Sequence, residues 1–244
     1  MIALDQPTCF DNAIVVRVSS KDDGTMLDRA IGIHDGTIVS NRTKFVDACG
    51  IAYGDAVYQR IIYDQSRTYS LIAEVDGGST TKFTSEVVAD ALYTATRGIG
   101  LMLPVADCAA TVVYDPVRRA LAMAHLGRHS SYAKLATRVV KRFVDDGSDA
   151  VNLMVWIGPR AGREAYRLEW FDRRDDPDWQ NFFDEKSDGI YLDLAGFNAA
   201  LFEKAGVPHR NIITSPIDTM RDDKYFSHAM GDKTGRIMVL AYLK

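Results

Sequence analysis

The sequence predicts a mixed α/β or α+β fold: one domain over residues 1–244, a layered sheet with helices on its flanks. Three observations carry this. Short apolar runs bounded by turn residues recur along the whole chain, as strands require. Segments with apolar residues at helical spacing are interleaved with them, the pattern of layered α/β architectures. The 244 residues are 47% hydrophobic and 25% charged, ordinary globular values, with no repeat, low-complexity tract or linker to mark a boundary.

In chain order, Ala13–Val18 reads as a strand and Ser19–Gly24 as a polar loop. Ile31, Ile33 and the Gly36 turn read as a short extended piece. Thr37–Cys49 carries Ile38, Val39, Phe45, Val46 and Ala48 at helical spacing, with Gly50 as its stop and Cys49 as core. Ala56–Tyr63 and Tyr69–Val75 are rich in Val, Ile and Tyr and read as strands, joined by the polar turn Asp64–Thr68. Gly77–Thr81 is a flexible loop, and Ala89–Thr94 leads into the centre of the chain.

That centre, Gly98–Ser131, holds two apolar runs, Gly98–Val105 and Ala120–His125, separated by the turn chemistry of Tyr114-Asp115-Pro116. The first leads into Cys108 and the second ends on His125. Pairing of the two runs is expected to project a thiol and an imidazole together. A free Cys usually behaves as a small hydrophobe, and zinc needs more ligands than these two, so spacing alone leaves the pair open between core and site.

Beyond it, Ser131–Asp146 is predicted as one Ser-capped helix burying Leu135, Val139, Val140 and Phe143. Val151–Ile157 reads as a strand, Arg173–Asp178 as a solvated charged loop, and Leu192–Ala205 as a helix stopped by Gly206. Ile212–Thr214 and Arg236–Leu243 are predicted strands, with the polar loop Lys224–Lys233 before the last one.

A net charge of −4 argues against nucleic acid as a partner, which calls for a basic face. Cys9, Cys49 and Cys108 are too few and too widely spaced for a disulfide framework. The start carries no basic segment followed by an apolar one, and no apolar run approaches about 18 residues. The expectation is a cytoplasmic protein without a membrane partner; the oligomeric state stays open.

In the order IGIHDG with Asn41-Arg42, ADALYT, GLMLPVADC, AHLG, WIGP, AGVP, FSH and TGRIMVLAYL, the chain resembles the laccase-domain family. Its members are also described as polyphenol oxidases, purine nucleoside phosphorylases or peptidoglycan editing factors. The resemblance runs from about Leu27 to the C-terminus. It implies a single-domain α/β fold holding zinc or copper on two His and one Cys, and it makes Cys108 and His125 an expected spatial pair with catalytic and metal-ligating roles.

Four motifs depart from the family pattern. The family's Gln-Val-His-Gly turn corresponds here to Ile62-Tyr63-Asp64-Gln65, which leaves Asp64 as the substitute ligand. Its Trp-Arg pair after the Ala-His motif is Arg128-His129. Cysteines after WIGP are replaced by Arg160-Ala161-Gly162-Arg163, and Phe226-Ser227-His228-Ala229-Met230 lacks the arginines of the family loop.

Three outcomes follow: zinc on Cys108, His125 and Asp64; His129 as the replacement ligand; or no metal. Copper fits least, since one Cys and one or two His make a poor redox centre. The function implied by the resemblance is a purine nucleoside phosphorylase or adenosine deaminase, acting on a nucleoside and phosphate, with Arg128 on the anion and His129, His34 and His228 lining the pocket. The alternatives are a peptidoglycan-editing hydrolase, or a catalytically degenerate paralogue that binds a nucleoside or a partner protein.

Overall fold

The computed structural model describes residues 6–64 and 66–244. Its elements run β1 (Ile14–Val18), α1 (Gly36–Ala48), β2 (Ala56–Arg60), β3 (Ile72–Glu74), β4 (Val87–Val88), β5 (Ala91–Thr94), β6 (Gly100–Val105), β7 (Ala109–Asp115) and β8 (Ala120–Leu126). There follow α2 (Arg128–Tyr132), α3 (Leu135–Asp145), β9 (Met154–Ile157), β10 (Arg167–Leu168), β11 (Phe183–Lys186), β12 (Gly189–Leu192), α4 (Leu194–Lys204), β13 (Ile212–Thr214) and β14 (Ile237–Leu243).

These strands make a five-stranded sheet, β1-β14-β6-β2-β4, a six-stranded sheet, β13-β9-β7-β8-β5-β3, and a small three-stranded sheet, β10-β12-β11. Period-two alternation assigns each strand's faces to different layers. Along β8, Ala120, Ala122, Ala124 and Leu126 pack against Val139 and Phe143 of α3 and Phe197 and Leu201 of α4. The intervening Leu121 and Met123 pack instead against Leu101, Leu103 and Val239 of the five-stranded sheet. Small alanines on the first face let the helices lie close. The outer face of the five-stranded sheet, with Tyr58, Met102 and Leu240, is covered by Phe45 and Val46 of α1. The order of layers is helix, sheet, sheet, helices, and the mixed α/β expectation holds.

Several local readings also hold. Gly50 ends α1 at φ +91°, as read; the cap at its start, Asp35, whose Oδ1 accepts the Thr37 amide at 2.9 Å, was not picked out from the sequence. Cys49 is buried, and all three cysteines are free thiols. Among the described residues no helix is long and apolar enough to cross a membrane.

Other readings are corrected. The two central apolar runs do not pair: β6 lies between β14 and β2, whereas β8 lies between β7 and β5. The partner of β8 is the segment directly before it, joined by the Asp115-Pro116 turn, because a two-strand hairpin closes the shortest loop. The single helix over Ser131–Asp146 is two, broken where Lys134 adopts φ +54° and bonds Asp178. The segment around Ile31–Gly36 makes turns and not an extended piece. The β11–β12 hairpin forms in a stretch where no strand was expected.

Candidate active site

Between Val105 and Ala109 the chain leaves the five-stranded sheet and enters the six-stranded one, so the crossover lies at the rim of both. Asp107 takes φ +70° there, a left-handed conformation that Asp tolerates better than most side chains. Its carboxylate accepts the Thr219 hydroxyl at 2.8 Å and the Ala229 amide at 2.8 Å, and its carbonyl accepts the Ala161 amide at 3.0 Å. Three distant loops are thereby tied to one turn, and Cys108 is the next residue.

His125 lies opposite Ala110 in the β7–β8 register. Cys108, two residues before Ala110, shares its side of the pleat, so the thiol and the imidazole emerge together. A Cβ at Gly127 would stand 2.8 Å from Cys108 Sγ and 3.2 Å from His125 Cε1, which shows how closely both crowd that glycine. The Ser130 hydroxyl fixes the turn by accepting the Gly127 amide at 3.0 Å and donating to the His125 carbonyl at 2.6 Å. Burial pushes the Cys108 thiol up to about 11, aided by the Asp107 carboxylate. Burial likewise pushes His125 down to about 3, helped by the Arg29 guanidinium. At neutral pH the pair is thiol and neutral imidazole, not thiolate and imidazolium.

A cleft of about 900 Å³ opens over this pair. Arg128, His129, His34 and His228, the residues read from the sequence as substrate-binding, all line it. Arg29 and Arg236 line it as well. The loop bearing Arg29 is held by buried Arg42 of α1, whose Nε donates to Met26 O at 2.6 Å and Nη1 to Ile33 O at 2.9 Å, while its guanidinium packs on Tyr58. Arg236 donates to the Gly235 carbonyl at 2.6 Å. The cleft's carboxylates, Asp28 and Asp107, are engaged by backbone amides or a hydroxyl. Among the described residues, Arg29, Arg128 and Arg236 have no carboxylate partner.

Asp64 is not brought into the cleft. Its carboxylate is exposed and accepts the Ser66 amide at 2.7 Å and the Ser66 hydroxyl at 2.6 Å; the hydroxyl bond, then the amide bond, lowers its pKa. Tyr63, one residue earlier, enters instead, its hydroxyl 3.5 Å from His125 Nε2. β2 ends at Arg60, so strand alternation does not decide which of Tyr63 and Asp64 turns inward. His129 packs its ring on Tyr69, with centroids 4.7 Å apart. Among the described residues no three His, Cys, Asp or Glu side chains gather as a metal-binding group. Two donors beside a phenol do not fit zinc, which takes three protein ligands in its open sites. The sequence reading also missed Arg29, for which it held no signal, and Arg236, which stands at the head of the last predicted strand, Arg236–Leu243.

Fold and site together define a layered α/β protein with a deep cleft, built on a Cys–His pair at a sheet crossover and lined by arginines. The model for the multi-copper polyphenol oxidoreductase laccase family matches residues 25–244, and the chain belongs to that family. It is 24% identical over 227 residues to a purine nucleoside phosphorylase of Streptomyces coelicolor, covering 89% of this chain and 87% of that one. It is also 24% identical over 230 residues to purine nucleoside phosphorylase YlmD of Bacillus subtilis, covering 89% and 82%. Among solved structures, hypothetical protein YfiH of Bacillus licheniformis superposes with a TM-score of 0.81 at 26% identity, over 96% of this chain and 94% of that one. YlmD of Geobacillus stearothermophilus has the same fold, with a TM-score of 0.82 at 23% identity and coverage of 98% and 94%.

Proposed function

We propose that the cleft catalyses phosphorolysis of a purine nucleoside. The observation that carries this is the trio Arg29, Arg128 and Arg236, three cations facing one cleft without a carboxylate partner among the described residues. Moving a phosphate dianion out of water is costly unless charged donors receive it, and guanidinium forks match phosphate oxygens geometrically. Tyr63, Tyr69 and Tyr166 supply flat walls for a purine. The relatives named as purine nucleoside phosphorylases support the same substrate class.

The chemistry runs on these residues alone. A phosphate oxygen attacks the ribose C1′ while the bond from C1′ to the purine nitrogen breaks. The electron pair leaves with the base, which takes a proton. Tyr63 and Tyr166 are phenols that line the cleft and can donate it. Arginine charge offsets the phosphate in both ground and transition states, and holding the two reactants together removes a large entropic barrier. Deamination and muropeptide hydrolysis draw on an activated water, for which the Cys108–His125 pair does not assemble a metal set.

The test incubates purified protein with inosine or adenosine and follows free base and ribose 1-phosphate. Base release that requires phosphate supports the proposal; release at the same rate without phosphate overturns it. The incomplete donor set favours a second reading, a nucleoside-binding protein without turnover, which shows binding by calorimetry and no product.

A further inference from the structure

Three side chains converge at the floor of the cleft: Cys108, His125 and Tyr63. Cys108 and His125 flank Gly127 from one side of the pleat. Tyr63 reaches them from the loop after β2, its hydroxyl 3.5 Å from His125 Nε2. This is the arrangement of a three-ligand site in which one ligand is a phenol. The Arg29 guanidinium packs on the Tyr63 ring at 5.1 Å.

We propose that Tyr63 occupies the third-ligand place of a metal site this chain does not complete, so that the cleft works without a metal, and that Tyr63→His alone completes a zinc site. Two further features agree. A dication at this spot would share the cleft with the Arg29 and Arg236 charges, of which Arg236 is buried, and that raises its cost. Asp64, the alternative ligand, is turned to Ser66. A tyrosine hydroxyl also suits the proposed phosphorolysis better than a second imidazole would, because it donates to an oxyanion or a leaving base. The inference rests on the geometry of the cleft floor and stands or falls separately from the nucleoside reading: metal content is counted without substrate.

The experiment loads the wild type, Tyr63→Phe, Tyr63→His and Tyr63→Cys proteins with zinc, dialyses them, and counts bound metal by elemental analysis. Cobalt(II) loading gives a second readout, a thiolate-to-metal charge-transfer band. Wild type and Tyr63→Phe are expected to retain well under one equivalent and to show no such band. Tyr63→His is expected to retain one equivalent and show it, and to lose both when Cys108→Ser is added. Thermal melts of each variant identify any that fails to fold, and Tyr63→Cys then serves as the second three-donor variant. The proposal is overturned if the wild type holds stoichiometric zinc that Cys108→Ser removes. It is equally overturned if both folded three-donor variants stay empty.

Discussion

The Asp107 carboxylate accepts the backbone amide of Ala229 at 2.8 Å, joining the strand crossover to a loop 122 residues further along the chain. The same carboxylate holds Thr219, so one buried side chain positions both the turn before Cys108 and the loop carrying His228. Asp107→Ala leaves an amide and a hydroxyl without their charged acceptor and is expected to cost about 3–5 kcal/mol, since charge-assisted bonds contribute about 1.5–3 each. Asp107→Asn keeps one accepting oxygen and the tolerance for positive φ, and should cost about half as much. Urea unfolding of both variants checks the order; equal losses would contradict it.

Arg128 opens α2 at the mouth of the cleft and makes no ion pair among the described residues. Arg128→Ala is therefore expected to leave the melting temperature nearly unchanged. Phosphate KM should rise about 10–100-fold, the worth of one charged hydrogen bond. Steady-state kinetics varying phosphate at saturating nucleoside measures it, and an unchanged phosphate KM would remove Arg128 from the anion site.

Gly127 has φ −107°, which any residue adopts, so its requirement is steric and not conformational. A methyl there meets Cys108 Sγ at 2.8 Å. Gly127→Ala should destabilise by about 1–3 kcal/mol through overpacking and displace the thiol. The double variant Gly127→Ala with Cys108→Ala should recover most of that loss, because the clash is with sulfur. Chemical denaturation of the cycle decides the matter.

Tyr93 of β5 donates to Asp146 at 2.6 Å, and Arg142 pairs with the same carboxylate at 3.0 Å. The Tyr93 hydroxyl first, then Arg142, holds Asp146 below the usual carboxylate range. A carboxylate with a lowered folded-state pKa contributes stability that is present above its unfolded value and lost as pH falls through the folded one. Tyr93→Phe should cost about 0.5–1.5 kcal/mol at pH 7, as the loss of one exposed-rim hydrogen bond does. The gap from wild type should narrow below the ordinary carboxylate range. Unfolding curves at pH 7 and in acid compare the two; a gap that widens on acidification would refute the linkage.

Local physics was legible in the sequence because it depends on neighbours. The alternation in Ala120–Leu126 and the helical spacing of Leu135, Val139, Val140 and Phe143 each bury the faces they predict. Gly50 and Gly206 end their helices through their own backbone chemistry. The chemistry-bearing pair Cys108 and His125 was also visible, each closing an apolar run. Only the tertiary structure decided which strands pair, because period-two alternation fixes a strand's faces and leaves its partner open: β6 finds β14 at Ile237↔Val105, across 132 residues, and passes over β8. It likewise decided that Tyr63 and not Asp64 turns inward, and that Arg29 and Arg236 share a cleft with Arg128. Those placements depend on where separate loops meet at a sheet crossover, and long-range contacts of that kind leave no trace in local spacing.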